Sequence, residues 1–204
     1  TAWEGIIPAL QAGKFDAIMA GMSITEKRKE VITFSRSYQG SPASLVVLKS
    51  SPLAGLNAGL PTVSLADIDA GEQAALDKMK AALNGKTVGV QISTTHENFL
   101  NEFMGDAVTV KTYDTQENLD LDLTAGRIDA ALASLSYWVP LLEGEKGATM
   151  TMTGPKMDGG PFGAGVGAGI RKDDQELADM FTKAINEAIA DGTMSKLSTK
   201  WFGY

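Results

Sequence analysis

The sequence predicts an α/β protein built from two similar lobes, and three observations carry that prediction. Short apolar runs alternate with amphipathic stretches along the chain, the pattern of strands and helices layered on a sheet. Glycine follows several of the helix-like stretches, at Gly13, Gly126 and Gly192 among others, where a left-handed residue stops a helix. Finally, one stretch occurs twice. Leu10-Gln-Ala-Gly-Lys-Phe-Asp-Ala-Ile-Met-Ala-Gly-Met-Ser23 matches Leu123-Thr-Ala-Gly-Arg-Ile-Asp-Ala-Ala-Leu-Ala-Ser-Leu-Ser136, 113 residues later, with seven of fourteen positions identical. That spacing is too long for a solenoid repeat. Either common α/β vocabulary recurs here by chance, or the chain holds two related lobes. On the second reading each copy is a helix, a glycine stop and a strand ending in a small polar loop, Gly21-Met-Ser23 or Ser134-Leu-Ser136. Ligands of open α/β sheets sit beyond the carboxyl ends of strands, so two such loops imply a cleft between the lobes.

The elements follow in order. Residues 5–13 read as a short helix with Ile6, Ile7 and Leu10 on one face. Residues 15–20 read as a short buried strand, apolar apart from Asp16. Ser23 and Glu26 have capping-box spacing for a helical turn through Glu30. Residues 44–48 form a β-rich run, 53–61 a loop, and 66–83 a helix ended by Asn84-Gly85. A second round gives a strand at 86–91, a helix capped by Ser93-Thr94-Thr95 and running to about 104, and a strand at 107–112. A helix at 116–125 and a strand at 128–132 complete it. This alternation predicts a mostly parallel sheet. The clearest helix is 173–190, with Leu177, Phe181, Ala184, Ile185, Ala188 and Ile189 in one stripe. A short terminal helix carries Met194, Leu197 and Trp201, the last read as core.

Composition narrows the function. A chain of 204 residues buries one good core or two small lobes. Its net charge of −7 and lack of a basic stripe argue against nucleic-acid binding. With no cysteine there is no disulfide scaffold, thiolate nucleophile or cysteine metal site. His96 is the single histidine, which excludes a His-rich metal site and a two-histidine catalytic pair. No apolar run is long enough to span a membrane, and no signal peptide is visible. The opening residues read as the interior of a fold.

Several strings resemble the polar amino-acid class of periplasmic solute-binding proteins, which feed ABC importers. They are Gly5-Ile-Ile-Pro-Ala-Leu-Gln-Ala-Gly-Lys-Phe-Asp-Ala-Ile-Met-Ala20, Met22-Ser-Ile-Thr-Glu-Lys-Arg28, Leu83-Asn-Gly-Lys-Thr-Val-Gly-Val90 and Leu123-Thr-Ala-Gly-Arg-Ile-Asp-Ala130. Phe162-Gly-Ala-Gly-Val-Gly-Ala-Gly-Ile-Arg-Lys172 and Asp191-Gly-Thr-Met-Ser-Lys-Leu197 continue the series. The resemblance runs from residue 3 to 204 and is strongest to lysine/arginine/ornithine-binding and opine-binding (octopine, nopaline) members. It implies the type II two-lobe periplasmic binding protein fold, with lobe 1 from residues 1–42 plus 163–204 and lobe 2 from 43–162. It also implies a periplasmic location, a partner permease in the inner membrane, a monomer and no cofactor. Family members begin with a further β-α-β stretch of lobe 1, absent from this chain, so the 204 residues alone are expected to fold poorly.

Candidate ligand-binding residues follow. Arg28 is the first. Its guanidinium fork suits a carboxylate, each charge-assisted hydrogen bond contributing roughly 1.5–3 kcal/mol; the resemblance implies that it clamps a ligand α-carboxylate. The alternative is a solvated charge run, since Arg28 sits within Thr25-Glu-Lys-Arg-Lys-Glu30. Ser23 offers a hydroxyl and a backbone N–H, a role compatible with helix capping; Ala20 and Gly21 precede it in the same turn. Thr94 and Thr95 open a helix, where free N–H groups favour carboxylates, although capping alone also explains them. Trp3 is either a core residue or, as the resemblance implies, an aromatic stacked on the ligand side chain, a contact of roughly 0.5–2 kcal/mol for a guanidinium. Tyr38, Tyr137 and Trp138 are weaker candidates, read as packing.

Ser134 stands where the resemblance implies an aspartate gripping an α-ammonium. An opine carries a second carboxylate on that nitrogen, which an aspartate would repel. Ser134, Gln91 and His96 offer hydrogen bonds to it, so the expected ligand is an arginine-derived opine before lysine or ornithine. His96 reads equally as an exposed residue near a helix start, and Gln91 is similarly divided. The glycine-rich run Gly163–Gly169 lacks the Rossmann spacing; the resemblance makes it the second crossing between lobes, a flexible strand tolerant of hinge motion. Two other functions suit this fold class less well. An enzyme on this fold, such as a cyclohexadienyl dehydratase, finds little support: there is no Gly-x-Ser-x-Gly elbow, and Asp16 and Asp129 occupy repeat positions that suggest structural roles. A receptor sensor domain would need a membrane-spanning flank.

Overall fold

The computed structural model describes residues 2–40 and 42–203. In chain order its elements are α1 (Ile6–Gln11), β1 (Ala17–Ile18), α2 (Glu26–Lys29), β2 (Ile32–Phe34), β3 (Ala43–Leu48), β4 (Thr62–Ser64), α3 (Ala70–Ala82) and β5 (Lys86–Gln91). These are followed by α4 (Thr95–Phe99), β6 (Val108–Tyr113), α5 (Gln116–Thr124), β7 (Ala130–Ser134), α6 (Leu135–Glu143), β8 (Met150–Asp158), β9 (Gly169–Arg171), α7 (Gln175–Ala190) and α8 (Thr193–Phe202). The chain divides into two compact units, Thr1–Ser41 with Phe162–Tyr204, and Pro42–Pro161.

The first unit is built on a small antiparallel sheet ordered β1-β9-β2. Leu10 of α1, Ile18, Met22 and Ile32 form one buried cluster, with Trp3, Ile6, Ile7, Phe15 and Phe34 packed against it. Ala178 of α7 meets Ala168 and Ile170 in a second. The second unit has a six-stranded sheet ordered β4-β8-β3-β7-β5-β6. Its core joins Val46, Leu119, Leu123, Ile128, Ala131, Ala133, Trp138 and Met150. Trp138 is fully buried and donates its indole N–H to the Ser44 carbonyl at 3.1 Å, so the polar tip is satisfied.

The duplicated stretch is duplicated in geometry. Helices α1 and α5 both end in a Schellman motif, in which two backbone N–H groups past the helix return to its last carbonyls. In the first unit Gly13 donates to Leu10 at 3.0 Å and Lys14 to Ala9 at 3.0 Å; in the second Gly126 donates to Leu123 at 3.0 Å and Arg127 to Asp122 at 2.9 Å. The glycine φ angles are 70° and 68°. Leu10 and Leu123 are both completely buried, a gain of roughly 1.5–3 kcal/mol each. The paired aspartates are structural in both copies. Asp16 accepts from Arg171 Nη2 at 2.8 Å, and Asp129 accepts from the Thr87 N–H at 2.8 Å, so each ties a strand start to its neighbour.

Several expectations need correction. The mostly parallel sheet holds for the second unit alone: β4, β8, β7, β5 and β6 share one direction and only β3 opposes them, whereas in the first unit β9 is antiparallel to both of its neighbours. The strand expected at 15–20 shrinks to Ala17–Ile18, with Met19 exposed. Helix α3 starts at residue 70 instead of 66, because Asp69 caps it in a capping box with Glu72, and the residues before it include the strand β4. Thr25, not Ser23, caps α2. Trp201 is 58% exposed, with Lys200 Nζ 5.0 Å from its ring centroid, and is no core residue. The glycine-rich run is a place of close approach within the first unit. A Cβ at Gly163 would lie 2.2 Å from the Ile24 carbonyl oxygen, and one at Gly165 2.4 Å from Ser37 Oγ.

Candidate functional site

The residues singled out from sequence fall into one group on each unit. In the first, the loop 21–25 is pinned by backbone bonds to the glycine-rich run: Ile24 N–H to Gly165 O at 2.8 Å, Ala164 N–H to Ile24 O at 2.9 Å, and Gly167 N–H to Met22 O at 3.1 Å. Close contact with this run is what requires glycine there. Ser23 is buried beside it, while Ala20 and Gly21 stay exposed at the turn. Gly21 also makes a backbone hydrogen bond with Tyr38, whose phenol pKa burial raises and that bond lowers.

Arg28 sits in the first turn of α2, its N–H donating to the Thr25 hydroxyl at 3.3 Å. Its neighbours behave as a solvated charge run: Lys27 and Lys29 are exposed, and Lys29 pairs with Glu26 at 2.8 Å. Arg28 does not. Its side chain folds back, Nη1 donates to the Ser23 carbonyl at 3.0 Å, and its Cζ lies 5.6 Å from the centroid of the Trp3 ring. Burial lowers its pKa to about 10, because a desolvated cation is disfavoured. The group remains charged at neutral pH, so the fold holds a cation where water is scarce.

In the second unit the other candidates gather at the carboxyl ends of β5 and β7, neighbouring parallel strands. Gln91 ends β5; its Nε2 donates to the Asp114 carbonyl at 3.1 Å and its own carbonyl accepts from the Thr94 hydroxyl at 2.7 Å. Ser93 follows with a φ of 60°, a left-handed turn that reverses the chain into α4. Thr94 caps that helix by accepting from the Glu97 N–H at 3.3 Å, and Glu97 in turn accepts from the Ser93 N–H at 2.7 Å. Thr94 and Thr95 are buried. Leu100–Met104 continues α4 as a π-helical turn. His96 brings its Nε2 within 3.4 Å of Ser134 Oγ, at the junction of β7 and α6. Ser134 makes no side-chain cap bond to α6.

Tyr137 and Trp138 belong to packing. Trp138 is core, and Tyr137 donates to Asp120, a pairing whose burial raises the pKa of both groups. Sequence reasoning missed Thr25, whose place directly before the charged helix Glu26–Lys29 was the available signal. It also missed the backbone carbonyl of Asp114, which fixes Gln91 and carries no side-chain signal at all. No group of three or more metal-ligating side chains occurs among the described residues. No described helix is long and apolar enough to cross a membrane.

The first unit thus presents a desolvated arginine, and the second presents hydroxyls and an imidazole at parallel strand ends. The chain belongs to the bacterial extracellular solute-binding proteins, family 3, whose sequence profile matches residues 1–204. Over 98% of the chain it is 37% identical to the octopine-binding periplasmic protein of Rhizobium meliloti, covering 74% of that protein. It is 38% identical, over 98% of its length, to the histidine-binding periplasmic protein of Salmonella typhimurium, covering 70% of it. An ancestral arginine-binding protein bound to arginine superimposes with a TM-score of 0.78 at 31% identity, covering 99% of this chain and 78% of that one. The fold is therefore the type II α/β fold of periplasmic binding proteins.

Proposed function

We propose that this protein is the periplasmic solute-binding component of an ABC importer, and that its ligand is an arginine-derived opine of the octopine or nopaline type, with basic amino acids bound more weakly. Arg28 carries the reading: an arginine that turns inward from a solvated charge run, loses solvent and keeps its charge is suited to a carboxylate. In this reading Arg28 takes the ligand's α-carboxylate, with Ala20, Gly21 and Ser23 shaping the turn around it. Gln91, Thr94, Thr95, His96 and Ser134 take the remainder of the ligand. The relatives support it, since the Rhizobium meliloti protein is named for octopine and the ancestral one holds arginine. They are named as binding proteins, which favours capture and release over catalysis.

Ser134 favours an opine within this class. Its hydroxyl and the neighbouring imidazole offer hydrogen-bond donors to a second carboxylate. Calorimetry with octopine, nopaline, L-arginine and L-lysine on the full-length protein tests the proposal. Micromolar or tighter opine binding, with lysine much weaker, is the expected result. Binding to none of the four would overturn it.

A further inference from the structure

We infer that Tyr137 and Asp120 are a positioning pair for Ser134: the Tyr137 hydroxyl, donating to the Asp120 carboxylate, ties the start of α6 to α5 and so sets the Ser134 hydroxyl against His96, where it distinguishes an opine from an amino acid. The inference rests on the reading of Ser134 as the residue that faces the second carboxylate.

Ser134 ends β7 and leads directly into α6. Its place therefore depends on how the first turn of that helix is held. The helix itself holds that turn poorly. Ser134 makes no side-chain cap bond to it, and its first turn carries no acidic residue, so neither a cap nor a charge supports the N–H groups there. Pro140 lies inside the helix and has no N–H, so the Ser136 carbonyl loses its bond from within the ladder. Contacts from outside take over. The Leu135 N–H donates to the Pro42 carbonyl at 2.9 Å, and the Trp138 indole to the Ser44 carbonyl at 3.1 Å. Both of these bind α6 to β3 and the residue before it. Tyr137 adds a tether to a different element, donating to Asp120 in the middle of α5. Asp120 also accepts from Gln116 Nε2 at 3.4 Å, one turn earlier on α5. That turn follows Asp114, whose carbonyl accepts from Gln91 Nε2 at 3.1 Å. Hydrogen bonds thus run from the end of β5 through the start of α5 to the start of α6, and the circuit closes where His96 Nε2 meets Ser134 Oγ at 3.4 Å. Burial, and then the bond to Asp120, raises the pKa of the Tyr137 phenol, so it keeps its proton and its donor role at neutral pH. A hydroxyl already aimed when the ligand arrives costs no ordering at the binding step, which is how preorganisation raises affinity.

A double-mutant cycle on the full-length protein, titrated calorimetrically with octopine and L-arginine, separates this role from general support of the fold. The variants are Tyr137→Phe, Ser134→Ala and their combination, with Asp120→Ala and Asp120→Asn beside them. Tyr137→Phe removes the donor and keeps the ring that packs on the core. It is expected to weaken octopine binding about 3- to 10-fold, and that of L-arginine, which has no second carboxylate, less than about 2-fold. With Ser134→Ala already in place, its effect on octopine should fall below about 2-fold. Asp120→Ala should behave as Tyr137→Phe does, while Asp120→Asn, which keeps an acceptor for the phenol, should stay within about 2-fold of the wild type. Equal losses for both ligands, or the same loss of octopine in both backgrounds, make the pair a general support of the fold and overturn the inference while leaving Ser134 as the specificity residue. An unchanged octopine-to-arginine ratio in Ser134→Ala overturns the reading of Ser134 and the inference together. A ligand-free measurement stands beside these. The His96 Nε2 resonance, assigned through His96→Gln and recorded at one pH, is expected to move in Tyr137→Phe toward its position in Ser134→Ala, and to stay in place in Asp120→Asn. A His96 signal that moves in neither Tyr137→Phe nor Asp120→Ala also overturns the inference.

Discussion

His96 Nε2 and Ser134 Oγ lie 3.4 Å apart although 38 residues separate them in the chain. The contact follows from topology. β5 and β7 are neighbours and run parallel, so their carboxyl ends emerge side by side. The turn at Ser93 then swings the first residues of α4 over the end of β7. Neither residue would reach the other had β3, the one strand that runs against the rest of the sheet, been placed between these strands.

That contact makes Ser134→Asp the most informative change at the second unit. It places a carboxylate beside His96, where it repels a second ligand carboxylate and attracts a primary ammonium. A charge-assisted hydrogen bond is worth roughly 1.5–3 kcal/mol, so the preference for octopine over L-arginine should fall by about 10- to 100-fold. Paired calorimetric titrations of the two ligands measure it. An unchanged octopine-to-arginine ratio would show that Ser134 does not face the part of the ligand that distinguishes them.

How much of this was legible beforehand depends on the kind of signal. Local chemistry was: Gly13 and Gly126 stop their helices, Thr94 caps α4, and the strands β3, β5 and β6 lie within a residue of their expected bounds. Long-range pairing was not. β4 has three residues, directly after Pro61, and exists only because β8 offers an edge to pair with. The direction of β3 is set by its partners, and no periodicity within 44–48 encodes it. At the site, sequence marked Arg28 but left it divided between solvent and ligand. What separates it from Lys27 and Lys29 is Trp3, a residue 25 positions earlier. Trp201 failed for the opposite reason: an apolar residue on a terminal helix has the core pattern without a core to fill.

The paired helix stops make a controlled stability series. At Gly13 and Gly126 an added Cβ meets nothing within 4 Å, so Gly13→Ala and Gly126→Ala carry only the strain of a left-handed backbone. Each is expected to cost about 1–2 kcal/mol, and the two costs to agree closely. Gly165→Ala adds a clash, because its Cβ would lie 2.4 Å from Ser37 Oγ and 2.8 Å from the Gln39 carbonyl oxygen at a φ of 95°. It should cost clearly more than either, roughly 3 kcal/mol or above. Urea denaturation of the three variants measures this. Equal costs at all three positions would show that the glycine-rich run gives way without resistance.

Asp122 offers a test in pH. One of its oxygens accepts from Arg127 Nη1 at 2.7 Å, and the other from Lys111 Nζ and the Tyr113 hydroxyl, both at 2.7 Å. The Lys111 bond first, then Arg127 and Tyr113, hold its pKa far below the ordinary carboxylate value of 3.8. The sign follows from linkage: a carboxyl that binds its proton more weakly when folded stabilises the fold fully above its unfolded pKa, and loses that contribution as pH falls through the folded one. Asp122→Asn keeps the shape and one acceptor but removes the charge. It should lower the melting temperature at pH 7, and the gap to the wild type should begin to close below about pH 4. The gap should be nearly gone at the lowest pH at which both proteins remain folded. Raising the salt concentration at pH 7 should also narrow it, because these charges lie near the surface where ions screen them. Thermal melts of both proteins from pH 7 downward decide the matter. A gap that stays constant across the series would assign the role of Asp122 to hydrogen-bond geometry alone, with its charge contributing nothing to the fold.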